Sequence, residues 1–299
     1  MHAVAPEIVN VTEALTRFAF PGTSVQTSDH IRRLHWYVAN RLVIEGGFHP
    51  DKILPRPPFR VESRGSRRYL HHDPLAGKSG ERTLLGGLKT KQIDVAVSLP
   101  GIGPVIAISL KGTHNAFRNL TNRMEEAAGD CTNLHMSYPA MVYGFWHVLR
   151  ANEEADSSPI AHFLLDGDDR YKPADVAVLA SGQLSEGVER YAQALVRLSD
   201  REDLRDAPSR YEACGLTLVR TRGGESKCGV YPEFPAAGSV LDFNRMFDRL
   251  MSIYDERFVY SAPALKARTS RLEWEPDSPF IVDTIRDSAQ FQEMKPRLR

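Results

Sequence analysis

Two charged side chains interrupt stretches of this chain that are otherwise apolar. Residues 91–99 (KQIDVAVSL) carry Asp94, and residues 104–112 (PVIAISLKG) carry Lys111. A charge on a buried apolar strand is costly unless it is paired or holds a metal, so these two residues are the first candidates for chemistry. Their types suit a particular kind of reaction. A carboxylate holds a hard divalent cation such as magnesium, while a lysine beside it positions or helps deprotonate an attacking water and offsets negative charge on a phosphate. One carboxylate alone makes a thin metal site. Glu125, fourteen residues after Lys111, offers a second, with Glu126 as its rival.

The elements that must position this pair can be read from pattern. The two apolar stretches are rich in β-branched residues and flank the turn Pro100-Gly101-Ile102-Gly103-Pro104, which predicts a β-hairpin. Such a turn brings Asp94 and Lys111 to neighbouring strand ends, although sixteen residues separate them. Apolar residues on nearly every position predict strands buried on both faces. A helix is expected over 28–44, where Ile31, Leu34, Trp36, Val38, Leu42 and Val43 recur at mostly helical spacing, with Ser28 or Asp29 as cap and Gly46-Gly47 as stop. After the hairpin, residues 115–130 place Phe117, Leu120, Met124 and Ala128 on one helical face, with Arg118, Asn122 and Glu125 beside it and Gly129 as the end. Further helices are predicted over 138–151, 186–198 and 240–254, and strands over 160–165, 175–179 and 215–221. The fold class that follows is α/β, a mixed central sheet flanked by helices. Residues 1–262 read as one elaborated domain and 263–299 as a packed arm or tail.

The order of helix, hairpin with an Asp on its first strand and a Lys at the end of its second, then helix, resembles the PD-(D/E)XK nuclease superfamily, which includes many type II restriction endonucleases. The likeness covers roughly residues 28–150. Ile93 stands where the pattern has Pro, and Ser109 stands two before Lys111 where it has an acid. One branch of restriction enzymes has a Ser-X-Lys followed about fourteen residues later by a helical Glu, and Ser109, Lys111 and Glu125 are similar to that arrangement. The resemblance implies a restriction-endonuclease-like core in which Asp94 and Glu125 bind magnesium, Lys111 orients the water and Ser109 fills the vacated acid position. A helical Glu45 would be an accessory ligand. It further implies double-stranded DNA as substrate, hydrolysis of its phosphodiester bonds, and a homodimer. A repair or defence nuclease without sequence specificity, or a non-catalytic binding module on the same fold, are the alternatives.

Composition narrows the rest. The 299 residues hold 38 basic and 38 acidic side chains, so the chain as a whole does not advertise a polyanionic partner. The balance is local: residues 55–91 hold nine Lys or Arg against three acids. Arg64, Arg67, Arg68, Lys89 and Lys91 there, with His114, Asn115, Arg118, Asn119, Asn122 and Arg123 after the hairpin, are the candidate nucleic-acid contacts. Three cysteines make no disulfide framework, no leader pattern opens the chain, and no window is apolar enough to span a bilayer. A cytoplasmic location and no membrane partner are therefore expected. His71-His72-Asp73 reads as a surface loop, residues 166–169 (DGDD) as a turn, and Cys131 as a small buried residue after a helix end. No Walker A, GxSxG or HExxH sequence occurs.

Overall fold

A computed structural model describes residues 5–21, 29–115, 117–156 and 171–299. The strand expected over 160–165 and the turn over 166–169 lie outside these residues, as does the Arg118 side chain. The fold is mixed α/β, built on a six-stranded sheet with helices on both faces.

The predicted hairpin forms the second and third strands of the sheet. Strands β6 (Val95–Leu99) and β7 (Gly103–Thr113) pair antiparallel, numbering all strands in chain order. On the β6 side the sheet ends with β1 (Ile53–Leu54), and on the β7 side it continues through β8 (Val142–Ala151), β9 (Ala213–Arg220) and β10 (Gly229–Val230). The β7–β8 and β8–β9 pairs are parallel, and the β9–β10 pair is antiparallel. Two separate ribbons precede the hairpin: β2 (Phe59–Arg64) with β3 (Arg67–His72), and β4 (Arg82–Leu85) with β5 (Thr90–Ile93).

Side chains alternate across β7, so its two faces feed two cores. Ile106, Ile108 and Leu110 join one core with α1 (Val11–Ala19), α2 (Asp29–Ile44) and α5 (Phe243–Tyr254). Ala107 joins the other core, with α3 (Leu120–Ser137) and α4 (Glu186–Leu198). Ser109 and Lys111 continue the α3 side of the strand.

Several sequence expectations are corrected. Residues 142–151 form a fully buried strand where a helix over 138–151 was expected. The run is mostly Val, Tyr, Phe, Trp and Leu, and its two polar residues, His147 and Arg150, stand three apart without alternating, so no period of two shows; parallel partners on both sides select the extended form. Gly129 does not end α3, which runs on to Ser137, because Gly129 sits on the exposed side where a missing side chain costs only propensity. Cys131 is accordingly buried inside α3, not after it. Residues 175–179 contribute two isolated bridges at Val178, to Glu153 and to Leu184, instead of a strand. His71 and His72 lie on β3, with His71 Nε2 3.1 Å from Glu62.

Residues 263–299 are a packed arm. Trp274, Phe280, Ile281, Ile285 and Met294 enter the first core. The arm also finishes α2: Trp274 Nε1 donates to the carbonyls of Val43 and Ile44 at 3.0 and 3.1 Å, and Arg297 N donates to Ile44 O at 2.9 Å. These are the C-terminal carbonyls that a helix leaves without partners of its own. Beside them Gly47, at φ +68°, lies so close to Leu272 O that a Cβ would sit 2.2 Å away.

Candidate functional site

Asp94 sits at the bend between β5 and β6, where the chain leaves the side ribbon and enters the central sheet. Its Oδ2 accepts a hydrogen bond from Leu110 N at 2.7 Å, so the carboxylate extends the β6–β7 ladder one step beyond its last main-chain pair, Val95 with Ile108. That bond fixes Asp94 next to the strand carrying Lys111. The predicted neighbourhood of the two residues is thus reproduced.

Two residues that pattern reading did not single out complete the group. His35 comes from α2 and Glu81 from the loop entering β4, and their ligand atoms and that of Asp94 all lie within 4.8 Å of one another. His35 is 6% exposed, and its Nε2, 3.8 Å from Asp94 Oδ1, has no hydrogen-bond partner. Burial pushes the His35 imidazole below its ordinary range; Asp94 works the other way, and the charges of Lys111, Arg32 and His30 add to the lowering. The ring is therefore neutral at pH 7, the form that binds metals. Partial burial and the Asp94 charge push the Glu81 carboxyl up, while Lys111 and Arg32 oppose them. Two carboxylates and a neutral imidazole with an unused ring nitrogen are a donor set that fits a divalent cation. The group opens on a cleft of about 280 Å³ lined by Arg32, His35, Trp36, Pro55, Ser79, Gly80, Glu81 and Gln92.

The helical glutamates fall elsewhere. Glu125 is exposed and, at 100° per residue, lies across α3 from the buried Ala127 and Cys131. Glu126 is on the flank nearer the sheet. Against its partial burial, the Arg123 hydrogen bond and the charges of Lys111, Arg123 and Lys91 hold its carboxyl below the usual range. Ser109 is buried, with its hydroxyl 2.8 Å from that of Tyr143. Glu45 is ten residues, about 15 Å of helix, from His35 on α2 and makes a two-pronged pair with Arg41.

The candidate nucleic-acid contacts divide. Arg64, Arg67 and Arg68 cluster at the β2–β3 turn, a ribbon that packs on the C-terminal arm: Glu275 N donates to Arg68 O at 2.9 Å. Arg64 pairs with Glu62 at 2.6 Å. Lys89 is exposed and Lys91 pairs with the buried Asp130. Asn115, Asn119, Asn122 and Arg123 are exposed around the start of α3, Arg123 pairing with Glu126 at 2.9 Å. His114 is a correction: it is buried, stacked on Phe18 with ring centroids 4.4 Å apart, and its Nε2 is 2.7 Å from Phe18 O. An imidazole so enclosed cannot face a nucleic acid.

The missed residues had weak signals. His35 stood among the apolar positions of a predicted helix, four after Ile31 and three before Val38, where a lone histidine reads as core, and Glu81 stood in a segment without periodicity; only the folding of α2 and the β4 loop onto Asp94 joins them. Among the described residues, no helix is long and apolar enough to cross a membrane. Comparison of the chain with protein-family models, curated proteins and solved structures finds no match.

Proposed function

We propose that this protein is a divalent-cation-dependent nuclease that hydrolyses phosphodiester bonds in double-stranded DNA, a type II restriction endonuclease being the first form to test. The observation that carries the reading is the meeting of Asp94, Glu81 and His35 ligand atoms within 4.8 Å, next to the strand that bears Lys111. In this reading Asp94 and Glu81 hold the cation, magnesium in the first instance, with His35 as a third donor. Bound there, the cation offsets phosphate charge and lowers the pKa of water. Lys111 holds the attacking water and offsets further charge on the phosphate, which lies in the cleft beside Arg32. Asp94 is kept in place by Leu110 N, so it needs no rearrangement to serve. Glu81 takes the part of second carboxylate that the resemblance assigns to Glu125. A homodimer in the cytoplasm belongs to the same reading, since two strands need two sites.

A non-catalytic DNA-binding module is the second reading, favoured by Ser109, which gives no acid and spends its hydroxyl on Tyr143. One experiment separates the two. Plasmid and genomic DNA are incubated with the protein and magnesium, manganese or EDTA, alongside Asp94→Ala, Lys111→Ala, Glu81→Gln and Glu125→Gln. Discrete metal-dependent fragments, lost in the first three variants and kept in Glu125→Gln, are expected. A metal-dependent smear with the same pattern of losses indicates a nuclease without sequence specificity. Loss in Glu125→Gln and not in Glu81→Gln returns the second carboxylate to α3. Absence of cutting with any cation, with DNA bound equally with and without EDTA, leaves the module.

A further inference from the structure

We propose that the segment from Glu81 to Asp94 is a wedge that sets Leu85 and Leu88 between base pairs of duplex DNA close to the phosphate being cut; this rests on the nuclease reading above. Strands β4 and β5 form a hairpin whose two ends are the two carboxylates of the metal group: Glu81 precedes Arg82, Asp94 follows Ile93, and Arg82 and Ile93 are opposite each other. Of its apolar residues, Leu84 and Ile93 are buried in the core beneath. Leu85 and Leu88 face outward at 68% and 76% exposure.

The tip that carries them is not a loose loop. Asn133 on α3 accepts at Oδ1 from Leu88 N at 2.7 Å and from Lys89 N at 3.0 Å, and donates from Nδ2 to Lys89 O at 3.0 Å. Gly87 N donates to Asn133 O at 2.7 Å. The fit is close enough that a Cβ on Gly86 would lie 2.2 Å from the Asn133 amide. A backbone fastened this firmly, yet presenting two leucines to solvent, is prepared for a surface that takes apolar groups. Apolar side chains driven between base steps, with partial unstacking, are a recurrent use of such residues.

Charge selects the partner. Residues 82–93 contain Arg82, Lys89 and Lys91 and no acid; Lys91 is taken up by the buried Asp130, which leaves Arg82 and the exposed Lys89 as the cations beside the tip. The tip is therefore apolar with a cationic skirt, complementary to stacked bases inside a phosphate backbone. Scale agrees as well. Leu85 is four residues along a strand from Glu81, about 13 Å at a rise of about 3.3 Å per residue, or about four base-pair steps at about 3.4 Å each.

The test uses the full chain and a Leu85→Ser, Leu88→Ser double variant, both exposed positions whose replacement leaves packing intact. Each protein, carrying Lys111→Ala to prevent cutting, is mixed with a short duplex in which 2-aminopurine replaces the adenines of one strand. A severalfold rise in fluorescence on binding with Leu85 and Leu88 present, lost in the double variant, supports the wedge. In proteins that keep the native Lys111, cleavage roughly tenfold slower with the double variant than with the parent supports it too, with manganese uptake by electron paramagnetic resonance and thermal midpoint unchanged. Equal fluorescence from both proteins, or equal cleavage, overturns it while leaving the nuclease reading standing. Failure of the chain with its native Lys111 to take up manganese and to cut DNA overturns the nuclease reading and the wedge with it.

Discussion

At the residue scale, the buried histidines set how the protein meets acid. His147 on β8 has Nε2 2.9 Å from Thr113 Oγ1 and Nδ1 against the Tyr191 hydroxyl. Burial, with the Arg123 and Lys111 charges adding to it, pushes its pKa down to about 3. The unfolded chain takes up this proton near the ordinary value of 6.5, so between the two values the unfolded state binds more protons. Stability is then complete above about pH 6.5 and falls as the pH drops towards 3, at up to about 1.4 kcal/mol per pH unit. His35 is lowered too and acts in the same direction. Replacing His147 with Gln keeps a donor and an acceptor and removes the titration. Urea midpoints measured at pH 7 and pH 5 should differ less in this variant than in the parent, and an unchanged difference would count against the assignment. Glu212, buried between Arg201 and Arg257, adds to acid sensitivity only below the ordinary glutamate value. Burial raises its carboxyl, but His135, Arg257 and the Tyr143 N–H together hold it below that value.

At the element scale, the β4–β5 hairpin decides whether the metal group exists as a unit, because it carries Glu81 at one end and Asp94 at the other. One side chain, Asn133, closes three of the hydrogen bonds that dock it on α3. Asn133→Ala should cost about 1–3 kcal/mol, the usual penalty for leaving such groups without partners. It should also raise amide hydrogen exchange across residues 85–93 and weaken manganese binding. Exchange unchanged across that segment would show that the ribbon is held by its strand pairs alone. This element was only half legible in sequence. Residues 91–99 read as one strand, yet the chain bends at Asp94 and the stretch belongs to two sheets. Short segments without alternation, such as 82–85 (RTLL), specify a strand weakly until a partner fixes the register.

At the scale of the whole molecule, the C-terminal arm joins the two ends of the chain. Trp274 is fully buried, caps α2 through its indole N–H and sits in the core with Phe280 and Ile281. Trp274→Ala should cost about 3–5 kcal/mol, as for other large core truncations, with unfolding still in one step. Guanidinium titration followed by far-ultraviolet circular dichroism checks both points. A loss under 1 kcal/mol would mean that the arm is an appendage. Because α2 carries His35, loosening the arm should also reach the metal group.

Taken over the whole chain, local pattern sufficed wherever the code is periodic and uninterrupted. Helices over 29–44, 186–198 and 243–254, the hairpin at 95–113, and the adjacency of Asp94 and Lys111 all follow from spacing and a turn. The strand 142–151 did not, since its two polar residues, His147 and Arg150, stand three apart and show no alternation, and its identity depends on neighbours more than sixty residues away in β9. The partners of Asp94 did not either. His35, fifty-nine residues earlier on α2, and Glu81, in a non-periodic loop, meet it only when the helix and the ribbon pack on the sheet. Sequence determines which side chains are capable of chemistry, because that is a property of their groups. Which of them share a site depends on contacts between distant segments, and those are made only by the packed fold.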